Sequence, residues 1–513
     1  MSKASKLIVL LPLLVLSAGT LSGCSKSSNS GRVLRVLNCE DYIYEYDESF
    51  KEDEMDERNL MDQFVDYYEE LTGEKISYVY DTFDTNETMF NELKTGKTTY
   101  DIIVPSDYMI QKLISIDMLR KFSDEKKEDL WSNISPFLKD KFEGIKAVSK
   151  SSNIEESIYD YSVPYMWGTV GLMYNPQYYA DKKGLDEDIT HELMMDWDSL
   201  YKEELKDSFS IKDSVRDTYA VSVVHTYRDE IATLETNKEV TDIFNKNDSQ
   251  TISEVKSDML KLKDNAFGFE CDSGKTDMTT QKIGANMCWS GDATWAITEA
   301  RDNDLELYYS IPTSYEGEET LGASNIWFDG LCMPESENLD QELAEAFIEF
   351  VSMPESAVQN CYCVGYTPGV AGDAMLDYIY ECYDIRGEVG GELDPELIEG
   401  EDYIEYDLSY FYGGSLVEYT DEDAILYADM EYVGRELNAQ YPSNDILDRL
   451  AIMNDFGDEG NIRLLDMWES VRTNPLPLWA VILFICEGVL ALLLVGFIVY
   501  RKVIRRKLRK NRI

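Results

Sequence analysis

An α/β fold with a parallel sheet covered by helices is predicted by three observations. Strand-like and helix-like runs alternate from residue 32 to 120. Glycines stop the helical runs. The chain has 513 residues, 44% hydrophobic and 12% aromatic, enough for two or three domains with a sizeable core.

The elements follow in order. Arg32 to Leu37 alternates as a strand. Asn59 to Leu71 has helical spacing, with Leu60, Phe64, Tyr67, Tyr68 and Leu71 on one side and Gly73 as its stop. Lys75 to Tyr80 alternates again, Glu87 to Lys94 is helical up to Gly96, Tyr100 to Val104 is a short apolar strand, and Asp107 to Leu119 continues as helix. Ligands bind beyond the carboxyl ends of strands in such sheets. Three polar and aromatic segments fall there: Asn38 to Tyr42, Asp81 to Glu87, and Pro105 to Tyr108. Further on, Tyr161 to Met173 is strand-like. A helix begins near Asp213, whose side chain is placed to cap it, with Ser214 and Asp217 in the first turn. Ala285 to Trp289 and Asn325 to Met333 are buried strands, and Leu339 to Met353 is an amphipathic helix closed by Pro354. The acidic, Tyr-rich stretch 383–430 reads as an inserted surface segment.

The formal net charge of −52 opposes nucleic-acid binding, which needs cations against phosphates, and steers small cations instead. Both ends carry targeting features. Lys3 and Lys6 precede an apolar run, Leu7 to Leu16, so residues 1–23 read as a signal peptide. Leu21-Ser22-Gly23-Cys24 resembles the lipobox of bacterial lipoproteins, which implies lipidation of Cys24 and a lipid-anchored tether over 24–32. Residues 478–500 are apolar except for Glu487 and long enough for a transmembrane helix. Residues 501–513 carry eight cations and no acid, which places this tail in the cytoplasm and the rest of the chain on the extracytoplasmic face of the cell membrane. With that tail and the two signal lysines set aside, −52 becomes about −62 for residues 24–500.

Nothing indicates an enzyme. His191 and His225 stand alone, and no Gly-x-Ser-x-Gly, phosphate-loop or dinucleotide fingerprint occurs. The nine cysteines form no Cys-x-x-Cys pair, so no metal site or other cofactor is expected.

Several motifs occur in order: TNETM (85–89), YDIIVPSDY (100–108), YSVPYMWG (161–168), DSVRD (213–217), MCWSGDA (287–293), IWFDGLCMP (326–334) and VGYTPG (364–369). Together with Asn38 to Ile43 they resemble the spermidine/putrescine-binding proteins of polyamine ABC importers, from about residue 33 to 374 and more weakly to 475. The resemblance implies a type II periplasmic-binding-protein-like fold. Lobe 1 would span 33–168 plus 328–374, lobe 2 169–327 plus 375–475, and ligand would be held between them. It also implies ligand contacts at Asp41, Tyr42, Ser106, Tyr108, Ser214, Asp217, Trp289, Trp327, Asp329 and Tyr366. The implied partners are a polyamine, permease subunits and, through them, the ATPase. Three positions depart from the family pattern and bear on ligand identity: Cys39 for a Trp, Ser214 for an acid, and Met453 for an amide. An anchored solute sensor, or a receptor for another cationic or amino-acid-like solute, are the alternatives.

The chemistry agrees with the resemblance. A polyamine carries ammonium groups on methylene spacers. Aromatic walls pack the methylenes and attract the cations, and carboxylates neutralise charges that are costly to bury alone. Side chains alternate along Ile326-Trp327-Phe328-Asp329, so Trp327 and Asp329 are expected on one side and Phe328 in the core on the other.

Overall fold

The computed structural model describes residues 31–46, 56–301, 303–315, 321–391 and 403–473, with Arg501 and Ile504 besides. The expected signal peptide, Cys24 and the span at 478–500 lie outside the described residues, as does nearly all of the basic tail. Among the described residues, no helix is long and apolar enough to cross a membrane.

The first strands are β1 (Arg32–Cys39), β2 (Ile76–Phe83), β3 (Ile102–Ile103) and β4 (Leu119–Arg120), followed by a small pair, β5 (Lys146–Val148) and β6 (Glu155–Ser157). Then come β7 (Ser162–Tyr174), β8 (Phe209–Lys212), β9 (Gly268–Glu270), β10 (Ala285–Trp289) and β11 (Tyr308–Ser310). The last are β12 (Ser324–Pro334), β13 (Thr367–Pro368), β14 (Tyr403–Asp407), β15 (Ile425–Asp429) and β16 (Leu450–Ile452). The main sheet runs β2-β1-β3-β12-β7-β10-β8-β9. β1 pairs in parallel with β2 and β3, and β8 in parallel with β9 and β10. β12 is antiparallel to β3 and β7, and β7 is antiparallel to β10, so the expected parallel sheet is mixed. The reason is that β7 and β12 carry the chain between the two parallel halves.

β7 and β12 are buried along their whole length. A strand covered on both faces reads as a continuous apolar run, which is why both were visible in sequence. From Ser162 to Thr169, β7 pairs with β12; from Val170 to Tyr174 it pairs with β10 and β11. Gly171 sits where no side chain fits, since a Cβ there would stand 2.3 Å from the Ser310 carbonyl oxygen. Two apolar cores form. One gathers Leu34, Phe64, Ile103, Trp167 and Phe328; the other gathers Leu172, Trp197, Phe209, Val223 and Met287.

Several expectations need correction. Leu71 is not on the buried side of its helix, Leu60–Thr72, but is 63% exposed. The helix expected through Leu119 ends at Ser115, because Asp117 turns left-handed (φ 58°) and Leu119–Arg120 then pairs with β12. Asp213 does not cap the following helix; Ser214 occupies the cap position, and Asp213 is ion-paired with Arg472 at 2.6 Å. The stretch 383–430 is not merely surface: β14 and β15 pair, and Leu408, Phe411, Tyr412, Leu426 and Ala428 are fully buried. Buried residues from Met375 to Tyr383 and from Tyr406 to Tyr441 pack in the first core, and Leu464, Met467, Trp468 and Val471 in the second, so the described part of 375–475 contributes to both.

Candidate binding site

The site forms where strand ends of both sheet halves meet the crossing strand β12. Asp329 lies near its middle, bridged to Ser106 beyond β3. The Tyr42 hydroxyl, beyond the end of β1, donates to Asp329 Oδ2 at 2.7 Å. Tyr42 is itself held by its carbonyl, which accepts from the Tyr165 hydroxyl at 2.6 Å and from Asn38 Nδ2 at 3.3 Å. Its ring meets Tyr366 edge-on at 5.2 Å between centroids, and Tyr366 meets Trp327 at 5.6 Å. Trp327 and Asp329 thus converge on one aromatic cluster. Phe328 is fully buried in the first core against Phe142, as alternation along a strand requires.

The other half of the sheet supplies the opposite wall. Trp289 ends β10, and its Nε1 donates to Asp217 Oδ2 at 3.1 Å. Asp217 lies in the first turn of the helix Val215–Thr226, where the positive end of the helix dipole faces it, and it also bonds the Ser214 side chain. Tyr108 donates to Glu87 Oε1 at 3.2 Å and carries the Arg216 guanidinium 4.7 Å from its ring centroid.

Of the ten sequence-expected site residues, Tyr42, Ser106, Trp327, Asp329 and Tyr366 are linked in one group and Ser214, Asp217 and Trp289 in another, while Tyr108 is held by Glu87 and Arg216. Asp41 stands apart: it is exposed, in the left-handed region (φ 50°), with no described bond to the others. Four residues were missed. Asp292 accepts from the Tyr366 hydroxyl at 2.9 Å, Lys212 is bonded to Asp292, Arg216 covers Tyr108, and Asp107 is fully buried beside them. Asp292 lies three residues after Trp289, but nothing in the sequence separates it from the other acids.

The electrostatics are unbalanced. Asp217 and Asp329 are only 7% and 8% exposed. Burial pushes the Asp329 carboxyl up to about 6, against the hydrogen bonds from Ser106 and Tyr42. Burial likewise raises Asp217 and Asp107; Asp217 disfavours ionisation of Asp329, both disfavour that of Asp107, and Arg216 and Lys212 partly favour the charged form of Asp217. None of the three makes an ion pair with another described residue, whereas buried carboxylates are ordinarily paired. Asp107 Oδ2 and Trp327 Nε1 are buried with no hydrogen-bond partner among the described residues. This arrangement can take up positive charge between aromatic rings. No group of described residues is suited to hold a metal ion.

The chain as a whole is similar to known solute-binding proteins. The sequence model of the family described as bacterial extracellular solute-binding protein matches residues 63–374. The spermidine/putrescine-binding periplasmic protein of Salmonella typhimurium is 26% identical over 320 residues, covering 62% of this chain and 76% of that one. The putrescine-binding periplasmic protein SpuD of Pseudomonas aeruginosa is 26% identical over 373 residues, covering 70% and 84%. Among solved structures, the spermidine/putrescine ABC transporter substrate-binding protein PotD of Streptococcus pneumoniae superposes with a TM-score of 0.52. It is 24% identical, with 86% of this chain and 100% of that one covered. The putative spermidine/putrescine ABC transporter from Listeria monocytogenes gives 0.55 at 22% identity, covering 86% and 99%. At these identities the structural likeness establishes the fold, a periplasmic-binding-protein-like α/β architecture with a mixed sheet.

Proposed function

Since the chain belongs to the bacterial extracellular solute-binding protein family, we propose that it captures a polyamine of the putrescine/spermidine class and delivers it to an ABC permease. The observation that carries this reading is the set of buried, unpaired carboxyls at Asp217 and Asp329, set among the rings of Tyr42, Trp289, Trp327 and Tyr366. An ammonium bound there gains a counter-charge and an aromatic face at once. Each cation–π contact contributes about 0.5–2 kcal/mol, and each charge-assisted hydrogen bond is stronger than a neutral one. The lobe boundaries implied by the motifs, with 375–475 shared between the lobes, the lipid on Cys24 and the span at 478–500 belong to the same reading: a receptor held at the outer face of the membrane next to its permease.

Titration calorimetry of the full-length chain in detergent tests it. Putrescine or spermidine is expected to bind with micromolar or tighter affinity, about −8 kcal/mol, and a hundred-fold excess over Kd should stabilise the fold by roughly 2.7 kcal/mol. Heat with only neutral or anionic solutes would overturn the reading. A second reading, an amino-acid-like cation, is favoured by Arg216: it is buried, and its Nη1 has no partner among the described residues. Heat with a basic amino acid and none with a plain diamine would select it.

A further inference from the structure

Lys212, the last residue of β8, occupies the carboxyl end of a parallel strand, where ligand groups are expected. It is only 1% exposed. Its Nζ donates to Asp292 Oδ2 at 2.7 Å and to the Cys271 carbonyl oxygen at 2.6 Å, lies 3.3 Å from Glu270 Oε1, and sits 4.4 Å from the Trp289 ring centroid. A carboxylate, a carbonyl and an aromatic face are what a ligand ammonium would seek, and here a side chain of the protein already has them.

Both oxygens of Asp292 are already engaged. The one not bonded to Lys212 takes the Tyr366 hydroxyl at 2.9 Å, and the Lys275 ammonium approaches that oxygen to 3.9 Å. Of the site's three carboxylates without an ion pair, the two that hydrogen-bond the ring cluster are Asp217, bonded to Trp289, and Asp329, bonded to Tyr42; among the described residues Asp107 accepts only from the Tyr108 backbone N–H. We infer that Lys212 acts as a resident ammonium at the Trp289–Asp292 end of the site and thereby selects a short diamine over a triamine. Two open carboxylates meet the two ammoniums of a diamine. The third ammonium of a triamine would have to approach Trp289 and Asp292. There it would meet the Lys212 ammonium, a fixed like charge that already holds Asp292 and one face of the indole.

This rests on the polyamine reading, and one experiment separates the two. The full-length chain in detergent is titrated with putrescine and with spermidine, and its folding is followed by thermal melting. The unaltered protein is expected to bind putrescine about ten-fold or more tightly than spermidine. Lys212→Met should shrink that preference by about ten-fold, while Lys212→Arg, which keeps a cation in place, should retain it. If the uncompensated Asp292 prevents Lys212→Met from folding, the double variant Lys212→Met/Asp292→Asn removes both charges and should also lose the preference. Spermidine binding as tightly as putrescine to the unaltered protein, or a preference unmoved in the folded variants, would overturn the inference while leaving the polyamine reading intact. If neither amine binds the unaltered protein, both fall.

Discussion

Asp329 is the residue on which binding and pH response meet. Folding raises its carboxyl from the ordinary 3.8 to about 6, chiefly by burial. A carboxyl that ionises less readily when folded costs stability while it is charged. The cost is about 3 kcal/mol above pH 6, diminishes as pH falls through 6, and vanishes below the unfolded value. The ligand-free protein should therefore gain stability from this group on acidification from neutral pH to about 5. Ligand binding should move the opposite way, because a bound ammonium needs the charged form: affinity at pH 5 is expected about ten-fold below that at pH 7.5. Asp329→Asn should lower affinity by about ten-fold or more, flatten that pH profile and leave the neutral-pH melting temperature no lower, since a charge-assisted bond contributes about 1.5–3 kcal/mol. Phe328→Ala, on the opposite side of the strand, should instead destabilise by about 3–5 kcal/mol through a core cavity. Parallel melts and titrations of the two variants read this out. If Asp329→Asn binds normally while Phe328→Ala selectively loses ligand, the site lies on the other side of β12.

At the scale of elements, the site depends on how closely one helix start approaches an aromatic ring. The helix Ser290–Arg301 follows Trp289 directly, and a Cβ at Gly291 would stand 2.2 Å from the Tyr366 ring. Only glycine lets that ring lie against the helix backbone while its hydroxyl bonds Asp292. Gly291→Ala should displace Tyr366, weaken amine binding by about ten-fold and cost about 1–3 kcal/mol of stability through overpacking. A lowered melting temperature with unchanged affinity in the same titration would show that Tyr366 is not a ligand wall. The strand exits at 38–42 and 105–108 were legible because strand alternation and helix stops are local signals. The end of the helix at Ser115 was not, since Leu119–Arg120 is drawn off by pairing with Met333 and Pro334, far away in the chain.

On the scale of the whole molecule, charge and apolar runs predict its placement. The proposed topology has the −62 of residues 24–500 outside, between a lipobox-like Cys24 and a cationic tail that would lie inside. Protease added to intact cells should digest the body and spare an epitope at the C-terminus, and Cys24→Ser should abolish incorporation of labelled lipid. An epitope removed from outside would reverse the topology. The segment 403–441 belongs to this scale too. Phe411 stacks on Trp167 and its carbonyl accepts from Ser135, while Gly434, Arg435 and Asn438 bond Tyr309 and Tyr308. Its acidic composition suggested a solvated surface, yet it packs on Trp167 of β7 and bonds β11, the strand paired with the far end of β7.

Sequence alone determined the α/β class, the strand at β7, the buried strand at β12, the shared side of Trp327 and Asp329, and the polar segments at strand ends. Each follows from spacing along the chain, where side-chain direction is set by the local backbone. Only the tertiary structure decided which acids matter. Asp292 and Lys212 are 80 residues apart in sequence and 2.7 Å apart in space, and Asp41 carries the same charge as Asp329 yet stays in solvent. The physical reason is that a carboxyl's role comes from its burial and its partners, and both arise only when strands distant in sequence are brought side by side.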